Sequence, residues 1–225
     1  MTASPGTRLP NTRPQAIIFD WDNTLVDSWL IIRDALNATF AEYDVPPWSL
    51  DDTKARVAKS LRDSFPELFG EDWEAAGKSF YGHLEAIHLD RLSPLDGAAE
   101  MLEELSQLGI YLGVFSNKTG KLLRAEAQQL GWDKYFGRIV GATDAVRDKP
   151  ATDPVVMALR GTGIKLGPDV WFAGDARIDM ECALNAGCTP VLLRAEPPSN
   201  GEFSGVDPAL YLDAPLGLSK FAKNL

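Results

Sequence analysis

The sequence is short of cysteine, positive charge and long apolar runs, and each shortage excludes a class of protein. Its two cysteines, Cys182 and Cys188, have neither the number nor the spacing of a zinc site, and they are compatible with a reducing cytoplasm. Lysine and arginine total 22 against 32 aspartates and glutamates, so the formal net charge is −10 at pH 7. An acidic chain repels nucleic acid and anionic membrane surfaces. We therefore expect a cytoplasmic protein with no nucleic-acid partner and no membrane partner.

No uninterrupted apolar stretch approaches the roughly 20 residues that a membrane-spanning helix needs. Residues 1–14 contain proline and arginine but no apolar centre, so they do not read as a secretory signal, and we expect a disordered leader. The sequence does contain 45% hydrophobic residues, which is ample for a packed core.

Residues 29–92 show a helical pattern and no strand pattern. Apolar residues recur at steps of three and four over about 29–43 and again over about 72–89. Between them, a serine can cap a helix over about 49–64, which Pro66 would end. We therefore predict an all-helical domain over 29–92.

From Ala98 onward, helical and strand patterns alternate along the chain. The predicted strands are 16–19, 110–115, 138–142, 170–173 and 190–193. Alternation of this kind predicts an α/β fold, with a Rossmann-like parallel sheet that has helices on both faces. The core domain would consist of 15–28 and 93–225, with the helical domain inserted after the first strand. The tail beyond Ala195 has no clear pattern.

Asp20 and Asp22 directly follow the first apolar strand. Open α/β sheets bind their ligands at this end of the strands, and a period of two directs both side chains the same way. Two neighbouring carboxylates repel each other, so they need a shared proton or a cation. The residues that continue to Thr24 are also of types that are common in turns. Asp20 and Asp22 alone are therefore compatible with a simple strand followed by a turn.

The ends of the other predicted strands are polar as well, and in a parallel sheet they lie along the same edge. They carry Ser116, Asn117, Lys118, Lys149, Asp175 and Asp179. Four aspartates in one crevice would need a cation, and oxygen ligands without histidine or cysteine favour Mg²⁺. Ser116, the backbone amides beside it and Lys149 could hold a phosphate, so the set suits phosphoryl transfer.

The segment from Phe19 to Ser28 resembles the first motif, DxDx[TV], of the haloacid dehalogenase-like hydrolases. Ser116, Lys149 and the segment 174–179 resemble the second, third and fourth motifs, in the same order. The resemblance covers about 16–195, and the helical insert resembles the type-1 cap of that family. The nearest branch looks phosphoglycolate phosphatase-like, although Trp21 and Asn23 replace the leucine and glycine that are usual there.

The resemblance implies a role for each aspartate. Asp20 would be the nucleophile that forms an aspartyl-phosphate, and Asp22 would protonate the leaving group and later activate water. Mg²⁺ would be bound by Asp20, the backbone carbonyl of Asp22 and Asp175. Asp179 would support the metal site or orient Lys149.

The resemblance also implies how the phosphoryl group is held. Ser116 and Lys149 would bind it, with help from Thr24 and the backbone amide of Asn117. Dehalogenases and phosphonatases of this family lack an acid at the position of Asp22, so we expect hydrolysis of a phosphate monoester of a small metabolite, such as phosphoglycolate or a sugar phosphate. A phosphomutase of the same family and a phospho-acceptor signalling domain are the alternatives. The protein would be a monomer or a homodimer.

Overall fold

The computed structural model describes residues 9–57 and 61–225, except for the side chains of 61–63. The expected leader before residue 9 and the stretch 58–60 of a predicted helix lie outside the described residues. The chain forms two compact units. The core unit contains the described residues up to Val26 together with Pro94–Leu225, and the helical unit is Asp27–Ser93.

The core unit is built on a parallel sheet. Its described strands are β1 Ala16–Phe19, β2 Tyr111–Thr119, β3 Arg138–Ala142, β4 Val170–Gly174, β5 Thr189–Leu193 and β6 Leu210–Leu212. They pair in the order β3-β2-β1-β4-β5-β6, and every pair is parallel. β1 is a central strand with all of its residues buried, which explains its unbroken apolar run. The predicted α/β fold is confirmed.

The helical unit contains four helices among its described residues. They are α1 Trp29–Glu42, α2 Leu50–Arg56, α3 Leu61–Phe69 and α4 Trp73–Ile87. Aromatic side chains form much of its interior, with ring centroids 5.9 Å apart for Phe40 and Phe69 and 5.6 Å apart for Phe65 and Phe80. Pro66, which we expected to end a helix, lies inside α3. Its missing N–H removes one backbone hydrogen bond, and the packing of Phe65 and Phe69 on either side of it stabilises the helix.

Helices of the core unit lie on both faces of the sheet. They are α5 Ala98–Gln107, α6 Gly120–Gln129, α7 Asp153–Ala158, α8 Arg177–Asn185 and α9 Pro215–Lys223. β6 and α9 occupy the tail to which the sequence pattern assigned no structure. Throughout the described ranges, none of the helices is long and apolar enough to cross a membrane.

Two element boundaries differ from the sequence prediction near the polar strand ends. β2 continues through Thr119 rather than ending at residue 115, with a shift of its register against β3 between Ser116 and Thr119. Ser116 therefore lies within the strand, at an irregularity, rather than in a loop. α8 begins at Arg177 instead of residue 180, because the Asp179 carboxylate accepts a hydrogen bond from the Ala176 amide at 3.0 Å and caps the helix.

Candidate active site

Three aspartates and one lysine meet at the carboxyl edge of the sheet. Asp20 directly follows β1, and its amide donates to the Ala173 carbonyl at 2.8 Å, which continues the pairing with β4. Carboxylate oxygens of Asp20, Asp175 and Asp179 lie within 4.8 Å of one another. The Lys149 ammonium lies 2.5 Å from Asp20 Oδ1 and 2.8 Å from Asp179 Oδ1. The predicted convergence of the first, third and fourth strand ends is thus present in the structure.

Burial sets the electrostatics of this cluster. It raises the pKa of Asp20 to about 6, against the opposing Lys149 ammonium, and Asp179 and Asp22 add to the increase. Burial also raises the pKa of Asp175 well above its usual range, with a further increase from Asp179 and Asp20. For Lys149, burial opposes the charged form, but the Asp179 and Asp20 carboxylates outweigh it and raise its pKa. One ammonium therefore faces three carboxylates, and the site favours an additional cation.

The donor set fits a hard divalent cation, because the clustered ligand atoms are all carboxylate oxygens. Two hydrogen bonds orient them: Thr24 Oγ1 donates to Asp175 Oδ1 at 3.2 Å, and Asp179 Oδ2 accepts from the Ala176 amide. Gly174 allows the close approach, since a Cβ atom at that position would overlap the Asp179 carboxyl group.

The position of Asp22 differs from the prediction, which was that four carboxylates share one crevice. Its Oδ1 lies 2.7 Å from the Lys118 ammonium, and Asp22 does not belong to the cluster of acids that could hold a metal among the described residues. The expected metal contact through the Asp22 backbone carbonyl stays a prediction. The two aspartates are thus held by different lysines, Asp20 by Lys149 and Asp22 by Lys118.

The residues expected to bind phosphate occupy distinct positions. Ser116 is buried, and its Oγ accepts a hydrogen bond from the Lys118 amide at 3.2 Å. The Asn117 side chain accepts from the Lys149 amide at 3.0 Å, so it fixes the loop that carries this lysine. Thr24 orients Asp175, as described above. In this structure, the side chains of Asn117 and Thr24 therefore support the site residues.

The family model of the haloacid dehalogenase-like hydrolases matches residues 17–193 of this chain. The chain belongs to the haloacid dehalogenase-like hydrolases. The match includes β2 to β5, all of β1 except Ala16, and all of the polar strand ends. The family recognised from the four motifs is confirmed.

Several relatives of this hydrolase are phosphatases. A phosphoglycolate phosphatase from Xanthomonas campestris pv. campestris is 29% identical over 182 residues, which cover 79% of this chain and 82% of that protein. The pyrophosphatase PpaX from Halalkalibacterium halodurans is 26% identical over 171 residues, covering 76% and 79%. A haloacid dehalogenase-like protein of known structure from Streptococcus pneumoniae has the same fold, with a TM-score of 0.81 at 22% identity over 92% of this chain and 98% of that one. The prediction of a phosphatase enzyme with a Rossmann-like sheet is confirmed.

Sequence reasoning missed one buried contact beside the site of this hydrolase. Glu126 lies in α6, which follows the second motif, and it is buried against Lys118 and Trp21. A glutamate in a helix ordinarily indicates a solvated face. The available signal was Trp21, where the family pattern has leucine, because a buried indole N–H needs an acceptor.

In the metal-free hydrolase, we expect Asp20 to lower stability as the pH rises. Its pKa is about 6 in the folded protein against an ordinary value of 3.8, so the folded state binds this proton more tightly than the unfolded state. Such a group stabilises the fold below the ordinary pKa, and this stabilisation disappears as the pH rises through 6. A shift of about two units corresponds to about 3 kcal/mol.

Urea unfolding in EDTA from pH 4.5 to 7.5, for the wild type and Asp20→Asn, isolates this effect. The wild type should lose stability relative to the variant as the pH rises from 4.5 to 7.5, by about 2 kcal/mol of the full ~3 kcal/mol. Mg²⁺ should stabilise the wild type more at pH 7.5 than at pH 5, because the ionised carboxylate binds the cation. A difference in the free energy of unfolding between wild type and variant that does not change with pH would contradict the raised pKa of Asp20.

Proposed function

We propose that this hydrolase is a cytoplasmic, Mg²⁺-dependent phosphatase that cleaves a small-molecule phosphate monoester through an aspartyl-phosphate on Asp20. The observation that carries the proposal is the position of the buried Asp20, which contacts the Lys149 ammonium and lies among the oxygens of Asp175 and Asp179. A carboxylate that can attack, a fixed positive charge and oxygens that can bind a metal therefore lie at the same strand ends, which supports the proposal. Phosphoryl transfer depends mainly on such positioning and charge neutralisation.

In the first half of the reaction, an Asp20 carboxylate oxygen attacks phosphorus, and the bond from phosphorus to the leaving oxygen breaks. Asp22 donates a proton to that oxygen, so the alcohol leaves neutral. Lys149 offsets the negative charge of Asp20 and of the transferring phosphoryl oxygens, and Ser116 donates a hydrogen bond to the phosphoryl group.

In the second half, Asp22 accepts a proton from water, and the water oxygen attacks phosphorus. The bond between phosphorus and Asp20 breaks, so inorganic phosphate leaves and the Asp20 carboxylate is restored. Asp20, Asp175, Asp179 and the backbone carbonyl of Asp22 would hold Mg²⁺, which supplies positive charge against the phosphoryl oxygens when it is bound. The amide of Asn117 is a further donor for these oxygens.

The relatives and the charge of the site support this substrate class. Phosphoglycolate phosphatases and a pyrophosphatase are among the similar proteins, and both names describe small phosphorylated substrates. We assign substrate selectivity to the helical unit and propose that this unit is the cap predicted over 29–92. The core unit then supplies the chemistry, and the helical unit distinguishes one ester from another.

A screen of phosphorylated metabolites tests this function. Inorganic phosphate release is measured for a panel that includes phosphoglycolate, sugar phosphates and pyrophosphate, with 5 to 10 mM Mg²⁺ or with EDTA in excess. We expect release from at least one small ester, loss of that release in EDTA, and recovery when Mg²⁺ is restored. Turnover that is unchanged in EDTA would refute the metal dependence, and no release from any ester would refute the phosphatase.

A further inference from the structure

A buried cluster of charged and aromatic side chains lies beside the strand that leads to Asp22. The Lys118 ammonium contacts Glu126 Oε1 at 2.8 Å, Glu126 Oε2 at 2.7 Å and Asp22 Oδ1 at 2.7 Å. The Trp21 indole N–H donates to Glu126 Oε2 at 2.6 Å. We call these four side chains, Trp21, Asp22, Lys118 and Glu126, the Glu126 cluster.

Burial makes this geometry rigid. The side chains of Lys118 and Glu126 are 6% and 1% exposed, whereas that of Asp22 is 18% exposed. A buried glutamate is stable only when it is paired and hydrogen-bonded, and Glu126 obtains both from Lys118 and Trp21. An ammonium has three N–H donors, which matches the three carboxylate oxygens around Lys118. Two of these donors face the oxygens of Glu126, so Glu126 determines the direction in which the third meets Asp22.

The other end of the Glu126 cluster is held by aromatic packing. Trp21 is fully buried, and its ring meets those of Trp132 and Phe136 edge-on, with centroid distances of 5.9 Å and 6.3 Å. Trp21 and Asp22 are neighbours in the chain, and both connect to Glu126, one directly and one through Lys118. The carboxylate of Glu126 thus anchors the segment that follows Asp20 at two adjacent residues.

We propose that Glu126 is a positioning residue for Asp22 and acts through Lys118 and Trp21. The inference rests on the proposed function, in which Asp22 donates a proton to the leaving oxygen and later accepts one from water. Proton transfer requires the donor within hydrogen-bond reach of the reacting oxygen, and small displacements reduce its efficiency strongly. Glu126 keeps the Asp22 carboxylate in place without contacting the substrate.

A purely structural role for Glu126 makes a different prediction about rate. A general loss of order would lower turnover of all phosphate esters alike. Loss of Asp22 positioning would instead slow formation of the aspartyl-phosphate, and hence lower kcat/KM, most where the leaving oxygen is basic and depends on protonation. Phenyl phosphate and p-nitrophenyl phosphate are nearly equal in size but differ in this property, because p-nitrophenolate leaves readily without a proton.

The test measures kcat and KM for both aryl phosphates, with Mg²⁺ present, for the wild type and Glu126→Gln. We expect kcat/KM, which reports formation of the aspartyl-phosphate and not the later hydrolysis shared by all esters, to fall at least about 10-fold for phenyl phosphate and no more than about 2-fold for p-nitrophenyl phosphate. Asp22→Asn serves as the reference and should discriminate in the same direction. Glu104→Gln, a carboxylate that accepts from Ser219 in another part of the core unit, is the matched control and should change neither rate by more than about 2-fold.

The double variant Lys118→Met/Glu126→Gln guards against a folding defect, because it removes both buried charges together. It should show the same discrimination as Glu126→Gln. Equal losses on both esters, or no loss while Asp22→Asn discriminates, would overturn the role of Glu126 alone. An inactive wild type, or an active Asp20→Asn variant, would overturn the proposed function and this inference with it.

Discussion

Replacing Asp20 with asparagine is expected to lower phosphate release from p-nitrophenyl phosphate by at least about 10⁴-fold. The carboxylate is the attacking group in the proposed reaction, and an amide of the same shape cannot form the aspartyl-phosphate. Because p-nitrophenolate needs no proton to leave, formation of the aspartyl-phosphate from this substrate depends on the nucleophile rather than on proton donation by Asp22. The expected defect is therefore in kcat and persists at saturating substrate.

The fold should tolerate this change, so the loss can be attributed to chemistry. Burial raises the pKa of Asp20 to about 6, which means that the site disfavours the charged form and accepts a neutral side chain at little cost. Asp153→Asn is the matched control, since Asp153 is half-exposed and pairs with Arg147. It should retain full turnover. Retained turnover in Asp20→Asn at an unchanged melting temperature would refute the nucleophile assignment.

Replacing Lys149 with methionine is expected to lower kcat by about 10² to 10³-fold and to destabilise the metal-free protein by about 3 kcal/mol at pH 7.5. The change removes the ammonium that pairs with Asp20 and Asp179 and leaves the buried acids without it. Methionine still fits the apolar surroundings, because Lys149 lies about 5.4 Å and 5.5 Å from the ring centres of Phe115 and Phe172. The loss therefore reflects charge rather than an empty space.

Urea unfolding with and without Mg²⁺ separates the two roles of Lys149. Mg²⁺ should restore part of the stability of Lys149→Met, because the cation compensates the same carboxylates, but it should not restore turnover. Lys220→Met, a change of an exposed lysine on α9, is the control and should alter neither property. Equal stability of wild type and Lys149→Met in EDTA would show that the acids do not depend on this ammonium.

Local sequence pattern predicted one strand beside the site and missed two other features of the fold. An unbroken apolar run before Asp20 predicted a buried strand over 16–19, and β1 has those bounds. The start of α8 at Arg177 was not predictable from periodicity, because the Asp179 carboxylate caps the helix through a contact with the Ala176 amide. β6 was missed because its three residues are too few to show an alternating pattern.

By itself, the sequence determined the fold class, the family and the set of polar residues at the strand ends. It could do so because parallel strands bring their carboxyl ends to one edge, whatever the distance between them along the chain. Only the tertiary structure decided which acid pairs with which lysine. Asp20 pairs with Lys149, whereas Asp22 pairs with Lys118 and, through it, with Glu126. Such contacts depend on loop paths and on the packing of α6, and these long-range features leave no periodic trace in the sequence.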